Sequence, residues 1–202
     1  MIVVFRPFVR APTANQQHRM QQLVNVAALA FDQLEYRSTL ERAAFTDHLT
    51  GAATRARLRQ ELDDGLAWSA VLYLDLDGFK EINDVHGHGA GDAVLIEVGG
   101  RLRRLLRSDD LVVRVGGDEF VLVVRDASID DAAQIAGRVV DAIQRPCAID
   151  GKLGLASVAV GASVGVCART GDMPFDEATR LADEALGTAK ALGKGRFAVA
   201  PH

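Results

Sequence analysis

Two short stretches of this chain hold the residues best suited to chemistry. "AVLYLDLD" at 70–77 is an apolar run closed by Asp75 and Asp77, and "RVGGDEFVLVV" at 114–124 sets Asp118 and Glu119 on a Gly-Gly turn between apolar runs. Acids at strand ends beside tight turns let a sheet expose charge without burying it unpaired. If the two strands are neighbours, Asp75 and Asp118 converge. Two converging carboxylates, completed by a main-chain carbonyl and phosphate oxygens, suit magnesium, a hard cation that seldom takes an all-protein cage. Either stretch alone reads as a solvated turn; their combination with the motifs below points to a site.

The elements that must position these acids alternate along the chain. Residues 70–77 form a buried strand between Trp68 and Gly78. "KEINDVH" is a short helix leading to the loop "GHGAG", and "GDAVLIEVGGRLRRLLR" a long amphipathic helix ending near Arg107. "LVVRV" and "FVLVV" flank the glycines as a hairpin. "DDAAQIAGRVVDAIQ" is helical and Pro146 stops it. "KLGLASVAVGASVGVCA" reads as strand with a turn near Gly161, residues 175–192 as helix, and "RFAVA" as a closing edge strand. Upstream, "TDHLTG" at 46–51 is a loop before a helix over about 54–62. The alternation predicts a central mixed β-sheet flanked by helices, an α/β or α+β domain over 46–202.

A lead-in precedes it over residues 1–45. The first dozen residues hold a short β-like run ending at Pro12, and residues 14–45 lack Gly and Pro and read as helix. Met20, Leu23, Ala27, Ala30 and Leu34 recur three and four apart, the seam of a coiled coil or a packed helix, until Arg37 and Glu41 interrupt it.

Composition narrows the function classes. With 202 residues, 23 Lys+Arg against 27 Asp+Glu and a net charge of −4, the chain has a real core and no electrostatic reason to bind a nucleic-acid polymer. Cys147 and Cys167 are too few for a disulfide framework or a zinc site, which favours a reducing, cytoplasmic setting. No apolar run approaches the roughly 18 residues that span a bilayer, so no direct membrane contact is expected.

The motifs together resemble the GGDEF family of diguanylate cyclases. "GGDEF" at 116–120 is the family signature, and "DHLTGAATR" (47–55) is similar to its D-x-L-T-G-L-x-N-R motif. "DLDGFKEINDVHGHGAGD" (75–92) is similar to its first strand and substrate loop, and "ADEALGTAKALGKGR" (182–196) to its last helix. The resemblance implies a palm-like nucleotidyl-cyclase fold that joins two GTP molecules into cyclic di-GMP with Mg2+, or Mn2+, as cofactor. It implies metal ligation by Asp75, the main-chain carbonyl of Leu76, and Asp118, with Glu119 in support and Asp118 near the attacking hydroxyl. Gly116 and Gly117 would leave room for the nucleotide. The helix start at Phe79 and Lys80, with Lys190 and Lys194, would hold phosphates, while Asn83 and Asp92 would read guanine and His88 would contact substrate. His86 has no such role and reads as a surface side chain.

A second site is implied by Arg107 and Asp110, an R-x-x-D arrangement similar to the family's product-inhibition site, with Arg114 assisting. The bland alternative is a helix C-terminus with a favourable arginine. The residues also depart from the pattern. Ala52 stands for Leu, Thr54 for Asn, Gly187 for an aromatic residue and Lys194 for Arg. Expected partners are a second copy, giving a homodimer through the lead-in helix, and an N-terminal sensor domain of GAF type. The competing readings are a silent receptor for cyclic di-GMP or GTP, which would predict damage at Asp75 or "GGDEF", and an enzyme making hybrid dinucleotides, which would predict a small residue at position 92.

Overall fold

The computed structural model of the chain describes residues 14–151 and 154–201, and divides into two units, residues 1–42 and 43–202. The β-like run expected in the first dozen residues lies outside the described ones. Helix α1 (Ala14–Phe45) runs without interruption, as the absence of Gly and Pro requires. Met20 and Leu23 of the expected seam are exposed on it, and so are Val24, Val26, Leu29 and Phe31.

The second unit runs α2 (Arg55–Asp63), β1 (Ala70–Asp77), α3 (Phe79–His86), α4 (His88–Leu105), β2 (Leu111–Gly116), β3 (Glu119–Val124), α5 (Ile129–Ile143), β4 (Cys147–Gly151), β5 (Gly154–Val158), β6 (Gly161–Ala168), α6 (Phe175–Ala191) and β7 (Phe197–Val199). Five strands form one sheet of order β2-β3-β1-β6-β7, with β4 and β5 paired apart from it. Pairs in the large sheet are antiparallel except β6 with β7, so the sheet is mixed and β7 is its edge, as expected.

The period of two along β1 explains both layers. Leu72, Leu74 and Leu76 face a core with Phe79, Ile82, Val94, Val98, Leu102, Val139 and Ile143 from α3, α4 and α5. Each such leucine contributes roughly 2 kcal/mol of burial. Val71 faces the other way, against Val121, Cys167 and the alanines of α6. Tyr73, Asp75 and Asp77 continue that second face toward the strand's end.

Helix α6 lies on the sheet at backbone distance. A Cβ on Gly165 would fall 1.8 Å from the Ala182 carbonyl oxygen, and Ala178, Ala182, Ala185 and Ala189 are the small residues it buries. This close seat carries Lys190 to the ends of the central strands. At the other side, Arg101 of α4 donates to the carbonyls of Ala142, Ile143 and Pro146, closing the end of α5.

Two features differ from the sequence reading. "GHGAG" is not a loop: α4 begins at His88, and only Gly87 separates it from α3. Gly87, at φ +87°, makes the whole turn, and Gly91 serves proximity inside the helix, since a Cβ on it would sit 2.1 Å from Asn83 Oδ1. Strand β4 was not anticipated, because "CAIDG" follows a helix-stopping proline and finds its partner only in the local hairpin with β5.

Candidate active site

Strands β1 and β3 pair so that Asp75 stands opposite Glu119. The Leu76 N–H donates to the main-chain oxygen of Asp118 at 3.3 Å, which brings the diglycine turn against the end of β1. A register shift between Arg114 and Gly116 bends β2 into this turn, and Gly117 takes φ +43°, a left-handed conformation that favours glycine. Nothing lies within 4 Å of where a Cβ would stand on Gly116 or Gly117, so the space above the turn is open.

The electrostatics of the pair follow from that proximity. Burial pushes the Asp118 carboxyl above its ordinary range and the charge of Asp75 adds to the push, while its own backbone N–H, Lys190 and Arg114 offset part. Lys190 Nζ lies 2.9 Å from Asp75 Oδ1. Next to them, Tyr73 Oη is 3.5 Å from Glu119 Oε2; burial, Glu119 and Asp183 push that phenol up. Among the described residues no group of three or more His, Cys, Asp and Glu side chains gathers at one point. The donor set is nevertheless oxygen only, and an Asp118 carboxylate whose charge is opposed by burial and by its neighbour fits a divalent cation shared with phosphate oxygens.

The expected substrate residues fall into two groups. Gly78 (φ +81°) starts α3 without a side-chain cap, Phe79 is buried at its first position, and Lys80 is exposed in its first turn. Asn83, one turn on, packs against Gly91 at the start of α4, where His88 and Asp92 are exposed. The structure thus gathers Asn83, His88 and Asp92 at the α3–α4 junction. Lys190 stands with Asp75, and Lys194 is exposed after α6 with φ +61°. His86 is not a plain surface side chain, because its Nδ1 is buried without a hydrogen-bond partner.

Arg107 and Asp110 share a tight turn. Asp110 accepts from the N–H of Arg107 and of Arg125, each at 3.0 Å, so its carboxylate shapes the turn. Two grooves meet at this pair: one of about 250 Å³ against Ala53 and Arg103, one of about 290 Å³ against Asp131 and Arg138. Arg114 is engaged elsewhere. It donates to Asp47 at 3.1 Å and, through Nη2, to the Gly117 carbonyl at 2.8 Å, so it braces the diglycine turn instead of joining Arg107.

Two further residues, Asp47 and Asp77, received no role from the sequence. Asp47 accepts from the Thr50 hydroxyl at 2.6 Å and from Arg114; burial would raise its carboxyl, but Thr50 and then Arg114 outweigh it and hold it below the ordinary range. Asp77 accepts from Ser163 Oγ at 2.9 Å and from the Gly195 N–H at 3.0 Å. Its signal was visible, since Asp77 must share a face with Asp75. Of the departures, Thr54 caps α2 by accepting from the Arg57 N–H and donates to the Ala44 carbonyl, Ala52 is buried, and Gly187 faces open space.

Comparison with known proteins gives the family of the chain. The family described as "Diguanylate cyclase, GGDEF domain" matches residues 44–196. The bifunctional diguanylate cyclase/cyclic di-GMP phosphodiesterase MucR of Pseudomonas aeruginosa is 36% identical over 166 residues, 78% of this chain and 24% of its own length. Diguanylate cyclase DgcP of the same organism is 34% identical over 194 residues, 90% of this chain and 28% of its own. A solved structure of Pseudomonas aeruginosa TpbB comprising only the GGDEF domain matches at TM-score 0.69 and 36% identity, over 77% of this chain and 94% of that one. The coiled coil and GGDEF domain of DgcB from Caulobacter crescentus, in complex with c-di-GMP, matches at TM-score 0.81 over 90% of this chain and 98% of that one; at 24% identity this is a likeness of fold. The chain spans about a quarter or less of the length of the curated relatives that it matches first.

Proposed function

This chain belongs to the GGDEF family of diguanylate cyclases, and we propose that it joins two GTP molecules into cyclic di-GMP with release of two pyrophosphates. The observation that carries the reading is the seat of Asp118 beside Asp75, with Lys190 at the same point.

Phosphoryl transfer asks for positioning and charge neutralisation more than covalent chemistry. Asp75, the Leu76 carbonyl and Asp118 would hold Mg2+ or Mn2+, which when bound draws charge from the phosphate oxygens and from the attacking hydroxyl. The chain's own residues do the rest. Lys80, Lys190 and Lys194 with the amides at the start of α3 hold the β- and γ-phosphates. Asn83 and Asp92 read guanine: a carboxylate pairs with its N1–H and amino group, a donor pair adenine lacks. The 3′-oxygen of one nucleotide then bonds to the α-phosphorus of the other. The hydroxyl proton leaves to an acceptor such as Asp118 or water, and the bond to pyrophosphate breaks. Repeating the step in the opposite direction closes the ring.

Each domain offers one such set, so two copies must meet face to face. The apolar side chains exposed along α1 support pairing through that helix, under an N-terminal sensor domain of a longer protein. We place the domain in the cytoplasm, where GTP is available; among the described residues no helix is long and apolar enough to cross a membrane. Cyclic di-GMP would inhibit by settling on Arg107, which lines both grooves at its turn. The deciding experiment incubates the protein with GTP and Mg2+ and separates the products by chromatography, with Asp118→Ala as control. Cyclic di-GMP from the wild type alone is expected. Bound cyclic di-GMP without turnover would instead favour the receptor reading.

A further inference from the structure

Lys194 stands in a run of three left-handed residues, with Gly193 at φ +115°, Lys194 at +61° and Gly195 at +60°. A lysine seldom takes that conformation, and glycines on both sides give the segment freedom to leave it. Such a backbone persists only when its surroundings over-determine it. Within the segment, the Lys194 N–H reaches back to the Ala189 carbonyl at 3.2 Å. The contact from the sheet is Asp77, whose Oδ2 accepts from the Gly195 N–H at 3.0 Å across 118 positions of sequence.

Asp77 is itself fixed. It lies two residues beyond Asp75 on the same face of β1, accepts from the buried Ser163 hydroxyl through both oxygens at 2.9 and 3.0 Å, and lies opposite Gly161, where a Cβ would stand 3.1 Å from its own. One strand end therefore carries the acid at the proposed metal position and, one pleat further, the acid that clasps the segment presenting Lys194.

We infer that Asp77 is a positioning residue that holds Lys194 in reach of the nucleotide's β- and γ-phosphates, an inference that rests on the proposed reading of Lys194 as a phosphate contact. Asp77 touches no substrate in this role; it acts through the Gly195 amide. Its removal leaves the Gly195 N–H unpaired and the segment held only by the Ala189 carbonyl and by Gln144, whose Nε2 donates to the Gly195 carbonyl at 3.3 Å, so the lysine's charge is delivered less closely to one place.

Calorimetric titration of 3′-deoxy-GTP with Mg2+ tests this, because that nucleotide lacks the attacking hydroxyl and binds without turnover. Asp77→Ala and Lys194→Ala are each expected to weaken binding about tenfold, and the double variant no further than either one, since the second change removes an interaction already lost. Asp77→Asn, which keeps an acceptor for the Gly195 amide, should restore binding to within about threefold of wild type. Two independent losses that multiply in the double variant, or an Asp77→Ala protein that melts earlier yet binds normally, overturn the inference. Should Asp77→Ala not fold, Asp77→Ser, a small polar side chain too short to span both partners, carries the same cycle with the same expected and overturning outcomes. Wild-type protein that does not bind the nucleotide sinks the functional reading itself; wild-type binding with a silent Lys194→Ala sinks only the role given to Asp77.

Discussion

Lys190 Nζ rests 2.9 Å from Oδ1 of Asp75, so the last helix places its cation on the acid that the proposed metal would use. Without nucleotide the lysine and a metal ion compete for that oxygen; with nucleotide the lysine has phosphates to bind. Lys190→Met keeps the stem and removes the charge. It should tighten nucleotide-free Mn2+ binding several-fold and weaken GTP binding at least tenfold, on the order of the 1–3 kcal/mol of a charged hydrogen bond. Mn2+ titration by electron paramagnetic resonance and calorimetry with GTP read the two effects, and movement in the same direction would count against the competition.

Asp118 suffers from its own position, since burial and Asp75 both oppose its charge. Asp118→Asn removes the conflict together with the proposed metal ligand. Metal-free thermal stability should rise by a few degrees, the shift that about 1 kcal/mol gives a domain of this size. Mg2+ should no longer protect the variant in a melting experiment, and cyclic di-GMP synthesis should fall at least about a hundredfold. A variant less stable than wild type without metal would show that the Asp118 charge is not opposed at its seat.

Asp47 behaves oppositely. Its carboxyl is held below the ordinary 3.8, so its ionised form stabilises the fold above that value. That contribution is lost as pH falls through the depressed folded value. Asp47→Asn should lower stability by about 2 kcal/mol at pH 7, with the gap between the two proteins steady down to about pH 5 and closing below pH 4. Denaturation curves across that range decide it.

Arg107→Ala should leave initial synthesis unchanged and raise the cyclic di-GMP concentration needed for half-inhibition at least tenfold. Asp110→Ala should do more damage, because its carboxylate also holds the N–H groups of Arg107 and Arg125. Product titration in the presence of pyrophosphatase measures both, and undiminished inhibition in Arg107→Ala rejects the assignment.

Much of this molecule could be read from the chain because its central elements are simple. β1 is a bounded apolar run with acids at its end, and the diglycine turn lies between two more such runs. What stayed hidden depends on approach across long sequence separations. Arg114 meets Asp47 across 67 positions and Asp77 meets Gly195 across 118, and no local pattern announces either. The glycines of "GHGAG" misled for a related reason: Gly91 admits Asn83 within a helix, where local rules expect a turn.

The two-residue phase of Asp75 and Asp77 also limits how this gene segment can drift. Side chains along the strand can be exchanged one at a time for others of similar bulk. Gaining or losing a single codon between Trp68 and Leu72 would turn both acids toward the leucine layer in one step and send the leucines outward. Length here should be rigid even where spelling is not.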